Sequence, residues 1–529
     1  MSDSVGMKQN RLSAPHAMRL HDTLCHQRAF ADTPAARATA EAALSELGEK
    51  IAGLPARERS KLVDTALPHT ALHYRFSWDI ACWLASKAPG QVHIDWAGIT
   101  DEAAFDNLLR HLLLPAEDEY FDSGWASARE WLELARGDAP CTDFDWLIAQ
   151  LREAGPEEAT REKYDATDLP LTWNLGDSLF GRAFNSADLR PDVTGTMTFA
   201  GKAKKEICRP LGNARRVSRS EGAHLVDVAM ASLATRHRET NHFNHANPND
   251  VHVADVGAGV SVVLFGLQPQ WRYPLECTVG HLVLVNGVPV GYGGASALFR
   301  QVNTGVNVFR EYRGHGAAFL WVQVMRVLHA LLGCNRFVAN PYQFGADNNE
   351  ALKSGAFWFY YKLGYRPVEQ DVRTLARKEM ARRRERPGHR CDIPTLRRLS
   401  SCDMHLILPG TRQSDYFKEE WLATSSMLAT DIVAGSGSRK RALQQVTGKV
   451  VKALRIRSFD EWTRDERNAL RSIAPFVCVA EPDDWSTAAR REVREALRLK
   501  GGQSEMPYAR ALARNSDFLR DLRRACGRA

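Results

Sequence analysis

Residues 309–333 read FREYRGHGAAFLWVQVMRVLHALLG, and they determine how the rest of the chain is interpreted. Gln323, Arg326 and His329 are three residues apart in an otherwise apolar segment, so they share one stripe of a helix whose other sides are buried. The glycines before it leave backbone N–H groups free to face an anion, and a helix start adds unpaired donors. With Arg313 beside them, these residues predict a site that suits a pyrophosphate.

The segments before this loop predict a sheet. Residues 278–295 predict a hairpin, because HLVLV and VPVGYGG flank Asn286-Gly287, a pair favoured where both turn residues need positive φ. Residues 302–309 alternate apolar and polar side chains and predict a half-buried strand, in which Gly305 marks a bulge or a ligand's close approach. VADVGAG, within 251–267, is similar to a methyltransferase glycine loop, but a strand follows it instead of a helix, which favours a second hairpin.

Two further segments complete the pattern. Residues 334–340, CNRFVAN, predict a strand, and residues 354–365, SGAFWFYYKLGY, predict a helix that ends in an aromatic turn. The order is strand, Arg-x-x-Gly-x-Ala, buried helix, strand, helix and Tyr-x-x-x-Gly-aromatic. This order resembles the GNAT superfamily of acyl-CoA-dependent N-acetyltransferases. The match rests on Arg313, Gly316 and Ala318 and on the YYKLGY at 360–365, and it covers only the middle of the chain.

The resemblance implies acetyl-CoA, or another acyl-CoA, as co-substrate and no metal. It implies that residues 302–309 form the fourth strand and residues 334–340 the fifth. The two strands would be splayed so that the pantetheine arm lies between them. Coenzyme-binding residues are then expected in the loop and along both strands: Arg313, Gly314, His315, Gly316, Ala317, Ala318, Val306, Val308 and Asn340.

The catalytic residues are predicted less directly. Tyr360 falls where the family often keeps a tyrosine that protonates the departing thiolate, although it also suits a core aromatic. Many relatives place a carboxylate base on the fourth strand, and residues 302–309 contain none. The nearest acids are Glu276, just before the hairpin, and Glu311, just before the loop. Glu276 is the predicted base because Glu311 suits a solvated loop, and a water relayed by Asn303 or Asn307 is the alternative.

We therefore predict an α+β or α/β fold, with a GNAT-like central mixed sheet that carries helices on both faces. This domain would span 215–370, between a mostly helical N-terminal region, 1–200, and a basic, mostly helical C-terminal region, 371–529. N-terminal helices are expected at 35–51, 56–66, 74–85, 102–114, 126–136 and 143–154, and a linker or irregular crossover at 169–220.

Composition limits the partners. The net charge of +7 permits an anionic partner, and residues 373–390 are rich in arginine, but no other feature supports nucleic acid. Ten cysteines without a CxxC pair predict a reduced, cytoplasmic protein. His237, His242, His245 and His252 fit no familiar ligand spacing, so no metal site is predicted. No apolar segment is long enough to predict a membrane span.

Two functions of different classes follow. The first is an acyltransferase that moves an acyl group, most simply acetyl, from coenzyme A to an unidentified amine acceptor. The second is a GNAT-fold binding or assembly protein without catalysis, which the missing strand carboxylate favours. An S-adenosylmethionine-dependent methyltransferase is a third option, and affinity for that cofactor would support it.

Overall fold

The computed structural model describes residues 12–124, 127–189, 197–199, 201–314, 316–412, 415–434 and 437–528. Within these ranges the protein is a mixed α/β structure with many helices, one large mixed sheet and one small sheet. None of the helices in the described ranges combines the length and the hydropathy needed to cross a bilayer.

The helices and strands have the following bounds. The helices are α1 (Ala14–Ala29), α2 (Pro34–Ala52), α3 (Ala56–Arg59), α4 (Trp78–Lys87), α5 (Glu102–Leu109), α6 (Asp118–Asp122), α7 (Ala128–Arg136), α8 (Asp143–Glu153), α9 (Glu157–Thr167), α10 (Ala203–Ile207), α11 (Arg219–Ala234), α12 (Asn241–Asn244), α13 (Ala317–Leu332), α14 (Asn349–Ser354), α15 (Ala356–Leu363), α16 (Gln370–Glu385), α17 (Ile393–Leu399), α18 (Glu419–Ile432), α19 (Arg439–Ala453), α20 (Arg464–Val479), α21 (Thr487–Lys500), α22 (Met506–Leu512) and α23 (Ser516–Cys526). The strands are β1 (Ala71–Tyr74), β2 (Val92–Ile94), β3 (Leu171–Asn174), β4 (Asn213–Arg216), β5 (Ala246–Gly257), β6 (Val260–Leu267), β7 (Cys277–Val285), β8 (Val288–Leu298), β9 (Gln301–Thr304), β10 (Asn307–Val308), β11 (Arg336–Ala339), β12 (Arg366–Pro367) and β13 (Met404–Ile407).

The chain divides into two compact units. Unit 1 comprises the described residues of Met1–Val193, His224–His245 and Asn286–Pro289. Unit 2 comprises those of Thr194–Ala223, Ala246–Val285 and Val290–Ala529. This division differs from the three predicted regions, 1–200, 215–370 and 371–529. One reason is that β13, from the predicted C-terminal region, pairs with β11 of the predicted middle domain.

Unit 1 contains an antiparallel sheet of three short strands, in the order β1-β3-β2, that the sequence did not predict. The helix expected at 74–85 is wrong at its start, because Tyr74 ends β1 and α4 begins at Trp78. Two carboxylates fix this start by accepting the first free N–H groups. Glu239 accepts from the N–H of Ser77 at 3.1 Å, and Asp165 accepts from that of Trp78 at 2.8 Å.

Of the other predictions for the N-terminal region, some are confirmed and others are wrong. Helices α2 and α8 confirm the predictions at 35–51 and 143–154. The helix expected at 56–66 breaks into α3 and a short 3-10 turn, and the one expected at 102–114 stops at Leu109. The helix expected at 126–136 corresponds to α7, and its first residue, Ala126, lies outside the described residues. Of the two interpretations of 169–220, the linker is wrong, because β3, α10 and β4 all fall within this segment, and the irregular crossover stays a prediction.

The large sheet has the order β12-β13-β11-β9-β8-β7-β6-β5-β4. The pair β9–β11 is parallel, whereas the pairs on either side of it are antiparallel. Both predicted hairpins are confirmed. Asn286 and Gly287 have φ of 50° and 76°, as the turn between β7 and β8 requires. The glycine-rich VGAG turns the chain from β5 directly into β6.

The long helix α13 is buried, as predicted, and packs against β6 and β7. Its polar stripe does not face water. The amide Nε2 of Gln323 donates to Glu206 of α10 at 2.9 Å, and Nη1 of Arg326 donates to the Gln323 oxygen at 3.1 Å. Gln323 therefore pairs with a buried carboxylate, and Arg326 pairs with Gln323, instead of with solvent.

Candidate functional site

The parallel strands β9 and β11 separate at their carboxyl ends. They pair from Gln301 opposite Arg336 to Asn303 opposite Val338. Beyond Thr304 the first strand continues as β10, which in the described part of the sheet pairs only with β8. The edge of β10 that is turned away from β8 therefore has no strand partner among the described residues. The result is an opening in unit 2, bounded by β10 on one side and the end of β11 on the other.

The strand expected at 302–309 is thus two strands with a break at Gly305. No residue is inserted, because Thr304 lies opposite Ala295 and Asn307 opposite Tyr292, three steps later on both strands. The bulge interpretation of Gly305 is therefore wrong. The close approach of a ligand to Gly305 stays a prediction, because the atom nearest to a Cβ on this glycine, at 2.2 Å, would be Oε1 of the protein's own Gln343.

A second glycine makes the break possible. A Cβ on Gly293 of β8 would lie 2.2 Å from the carbonyl oxygen of Gly305 and 2.6 Å from Cε1 of His281 on β7. The three residues lie at one level of the sheet, directly under the opening. His281 is fully buried, and its ring lies 6.5 Å from that of Trp321 on α13. Glycine at position 293 therefore brings the backbone of Gly305 and the imidazole together.

The predicted anion loop leads from β10 to α13. A 3-10 turn, Arg310–Tyr312, is followed by Arg313, by Gly314 with φ of 107° and by Gly316 with φ of 64°. Among the described residues no side chain caps the start of α13, and its first turn carries no acidic residue. The first N–H groups of the helix therefore lack intrahelical acceptors, as an anion site requires. His315, predicted to contact the coenzyme, lies outside the described residues.

Glu350 and Met197, which the sequence did not predict as site residues, lie against this loop. Nη1 of Arg313 donates to Oε1 of Glu350 on α14 at 2.6 Å, and Nε of Arg313 donates to the Val308 carbonyl at 3.2 Å. Both partners of the ion pair are exposed, so the pair is weak, about 0–1 kcal/mol, and an anion can replace Glu350. A Cβ on Gly316 would lie 3.0 Å from Sδ of Met197, so this thioether sits beside the start of α13.

Asn340 lies at the end of β11, where the opening begins. Its Oδ1 atom is buried and has no hydrogen-bond partner in the part of the chain that the structure describes. A buried acceptor without a donor is costly, so this oxygen marks a position where a ligand donor would stabilise the structure. Of the other predicted contacts, Val306 and Val308 line the β9–β10 side and are half-buried, and Ala317 and Ala318 begin α13.

Tyr360 is a buried residue of α15 with 3% of its surface exposed. Its ring contacts Trp321, Phe344 and Tyr365 edge-on, with ring centroids between 5.2 and 6.4 Å apart. Burial raises the pKa of its phenol above the usual value, which keeps the hydroxyl protonated at neutral pH. The phenol therefore has the protonation state of a proton donor, within an aromatic cluster.

The structure does not bring Glu276 to the opening. Glu276 precedes β7 by one residue, and its carbonyl accepts from Nζ of Lys500 at 2.7 Å. His281, which lies under the opening, is five residues further along the strand, or about 16 Å. Burial raises the pKa of the Glu276 carboxyl, with Lys500 opposing this shift, but the group belongs to a different part of unit 2.

The sequence contained a signal for only some of these contacts. Gln343 lies between β11 and α14, in a 3-10 turn (Pro341–Phe344) that follows Asn340, and its contact with Gly305 also depends on the tertiary fold. Glu350 and Met197 carried no local signal, because their proximity to the loop depends on the tertiary fold. Comparison of the chain with models of protein families, with curated proteins and with solved structures found no match.

Proposed function

We propose that the opening between β10 and β11, together with the loop at 310–318, binds an acyl-CoA and that the protein transfers its acyl group to an amine. One observation carries the proposal. The parallel pair of the large sheet separates at the point from which a glycine loop leads into a buried helix whose start is capped by no side chain of the described residues. A GNAT-like domain needs this combination to hold the two halves of coenzyme A.

The pyrophosphate would lie at the start of α13, where N–H groups without intrahelical acceptors and the helix dipole favour negative charge. Arg313 would turn from Glu350 to the phosphates, which is inexpensive because both side chains are exposed. The amides of the pantetheine arm would pair with the outer edge of β10, as a strand pairs with a sheet edge. The buried Oδ1 of Asn340 is an acceptor for one of their N–H groups.

In the reaction, the amine nitrogen would attack the thioester carbonyl, forming a C–N bond and breaking the C–S bond. The thiolate would take the phenolic proton of Tyr360, although burial raises the pKa of this phenol and so makes it a weaker acid, and the phenolate would regain a proton from solvent. The proton that the amine loses would pass to solvent, because the carboxylate of Glu276 lies about 16 Å along β7 from the opening. The exposed Asn307 of β10 is placed to orient a water for that step.

The position of Glu276 favours a second candidate, a protein that binds acyl-CoA without transferring its acyl group. A domain of this kind would keep the loop and the opening and would have no base for the amine. Both candidates predict acyl-CoA binding, and only the first predicts turnover.

Thiol release separates the two. The full-length protein is incubated with acetyl-CoA and a panel of small amines, peptides with free N-termini and lysine peptides, and free coenzyme A is measured. Transfer predicts release that depends on one amine class, and Tyr360→Phe lowers kcat about 100-fold without changing acetyl-CoA affinity. The matched control is Tyr342→Phe, which should keep full activity. Tyr342 is 57% exposed and lies in the 3-10 turn Pro341–Phe344, which packs against α15.

Three other results would go against acyl transfer or against the role of Tyr360. Binding of acetyl-CoA without thiol release across the panel supports the second candidate. Unchanged kcat in Tyr360→Phe would reduce this tyrosine to a core aromatic. The absence of acetyl-CoA binding would overturn both candidates.

A further inference from the structure

Three side chains with metal-ligand chemistry meet where the chain leaves helix α16. Nε2 of His389 lies 2.9 Å from Oε2 of Glu379, and Sγ of Cys391 lies 3.3 Å from the same oxygen. All three candidate donor atoms lie within 4.8 Å of one another. This cluster belongs to unit 2 and shares no residue with the opening between β10 and β11.

The backbone holds the two later residues in place. Helix α16 ends at Glu385, and a turn through Pro387 and Gly388 is closed by a bond from the N–H of His389 to the Arg386 carbonyl, 2.8 Å long. Cys391 then directly precedes Asp392, which caps α17 by accepting from the Thr395 N–H at 2.8 Å. The backbone of His389 and Cys391 is thus fixed between a closed turn and a helix cap, and both side chains contact Glu379.

The environment of Glu379 resembles that of a carboxylate that ligates a metal ion. Glu379 is 2% exposed, and its second oxygen, Oε1, accepts from Nη1 of Arg382 at 2.6 Å. A bond of this kind to the distal oxygen orients a ligating carboxylate. The buried indole of Trp358 lies beside Cys391, under the guanidinium of Arg383. His389 and Cys391 are half-buried, so the cluster is open to solvent on one side.

We propose that Glu379, His389 and Cys391 bind a Zn²⁺ ion, with water in the fourth position. One oxygen, one nitrogen and one sulfur donor suit zinc, whereas calcium and magnesium prefer oxygen alone. Donors around a tetrahedral zinc lie about 3.4–3.6 Å apart, as follows from its bond lengths. The two contacts to Oε2 of Glu379, at 2.9 and 3.3 Å, therefore need to lengthen by only a few tenths of an ångström. Nε2 of His389 and Sγ of Cys391, which lie within 4.8 Å of each other, need to reach about the same separation.

Binding replaces the hydrogen bonds to Oε2 with bonds to the ion. The Cys391 thiol loses its proton to solvent, and Nε2 of His389 must carry no proton when it binds. The ion would connect the end of α16 to the start of α17 and so stabilise the loop between them. This inference is independent of the proposed acyl transfer.

Metal titration of the full-length protein tests the proposal. Protein freed of metal by dialysis against a chelator is titrated with Zn²⁺, and separately with Co²⁺ as a spectroscopic substitute. We expect one tightly bound ion per chain, a cysteine-to-cobalt charge-transfer band, and a higher Tm with zinc. Cys391→Ser should abolish the band, and His389→Ala should lower the affinity for zinc at least 10-fold.

The matched control is Cys208→Ser, which removes an exposed thiol outside the cluster and should keep both the ion and the band. The wild-type protein alone suffices to overturn the proposal, even if a variant fails to fold. The absence of the band from wild type, or its persistence in Cys391→Ser, would show that these residues hold no ion. Loss of the band in Cys208→Ser would place the ion elsewhere.

Discussion

His405 is a buried histidine held against a buried arginine. Its Nδ1 atom lies 3.1 Å from Nη1 of Arg336, and its ring lies 4.8 Å from that of Tyr416. Burial, followed by the positive charges of Arg336 and Arg373, lowers the pKa of His405 from 6.5 to about 3. The neutral imidazole is therefore the form that the folded protein requires.

This pKa shift predicts a loss of stability in mild acid. The unfolded chain binds a proton at His405 below about pH 6.5, and the folded chain does not until about pH 3, so stability falls as the pH drops through this window. Between about pH 7 and about pH 5 the contribution of His405 falls by about 2 kcal/mol. Urea unfolding at both pH values measures it, and His405→Gln should lose about that much less than wild type. Equal losses would show that His405 titrates normally.

At the scale of elements, the break between β9 and β10 depends on Gly293. An alanine there would place its Cβ against the carbonyl of Gly305, which is backbone and cannot rotate away. We expect Gly293→Ala to destabilise the protein by about 1–3 kcal/mol in chemical denaturation. The control is Gly212→Ala, where no atom lies within 4 Å of the added Cβ. Equal stability of the two variants would contradict the close packing under the opening.

The elements also show which features could be predicted from sequence. Hairpin β7–β8 was predictable because Asn286-Gly287 specifies its own turn, and α13 because its apolar pattern is local. The start of α4 was not, because Glu239, which fixes it, is 162 residues away from Ser77. The short β12 and β13 carry few residues each, so their place beside β11 depends on tertiary pairing.

The same contrast holds for the candidate site. The glycine loop, Arg313 and Asn340 could be named from the motif, because the residues that form the loop are contiguous. Gln343, Glu350 and Met197 could not, since only the folded chain brings them to Gly305, Arg313 and Gly316. Glu276 was preferred to Glu311 because Glu311 suits a solvated loop, and the antiparallel strand β7 separates Glu276 from the opening.

At the scale of the whole molecule, the C-terminal region is part of unit 2. Strand β13 covers the edge of β11, and the hydroxyl of Tyr508 on α22 donates to the Leu275 carbonyl at 2.6 Å. A chain that ends at residue 370 would therefore expose the edge of β11 and apolar surface of α13. We expect this chain to be insoluble under conditions in which the full chain is soluble, as sedimentation of lysates would show. A folded, soluble product would instead establish 215–370 as part of an independent domain.

The central claim is that the loop at 310–318 holds the phosphates of an acyl-CoA, and calorimetric titration with acetyl-CoA tests it most directly. We predict that wild type binds one molecule per chain and that Arg313→Glu weakens binding about 10-fold or more, because a charge-assisted contact becomes a repulsion. Arg377→Glu, which makes the same charge change at an exposed position of α16, should leave the affinity unchanged. Failure of wild type to bind, or equal affinity of wild type and Arg313→Glu, would contradict the account.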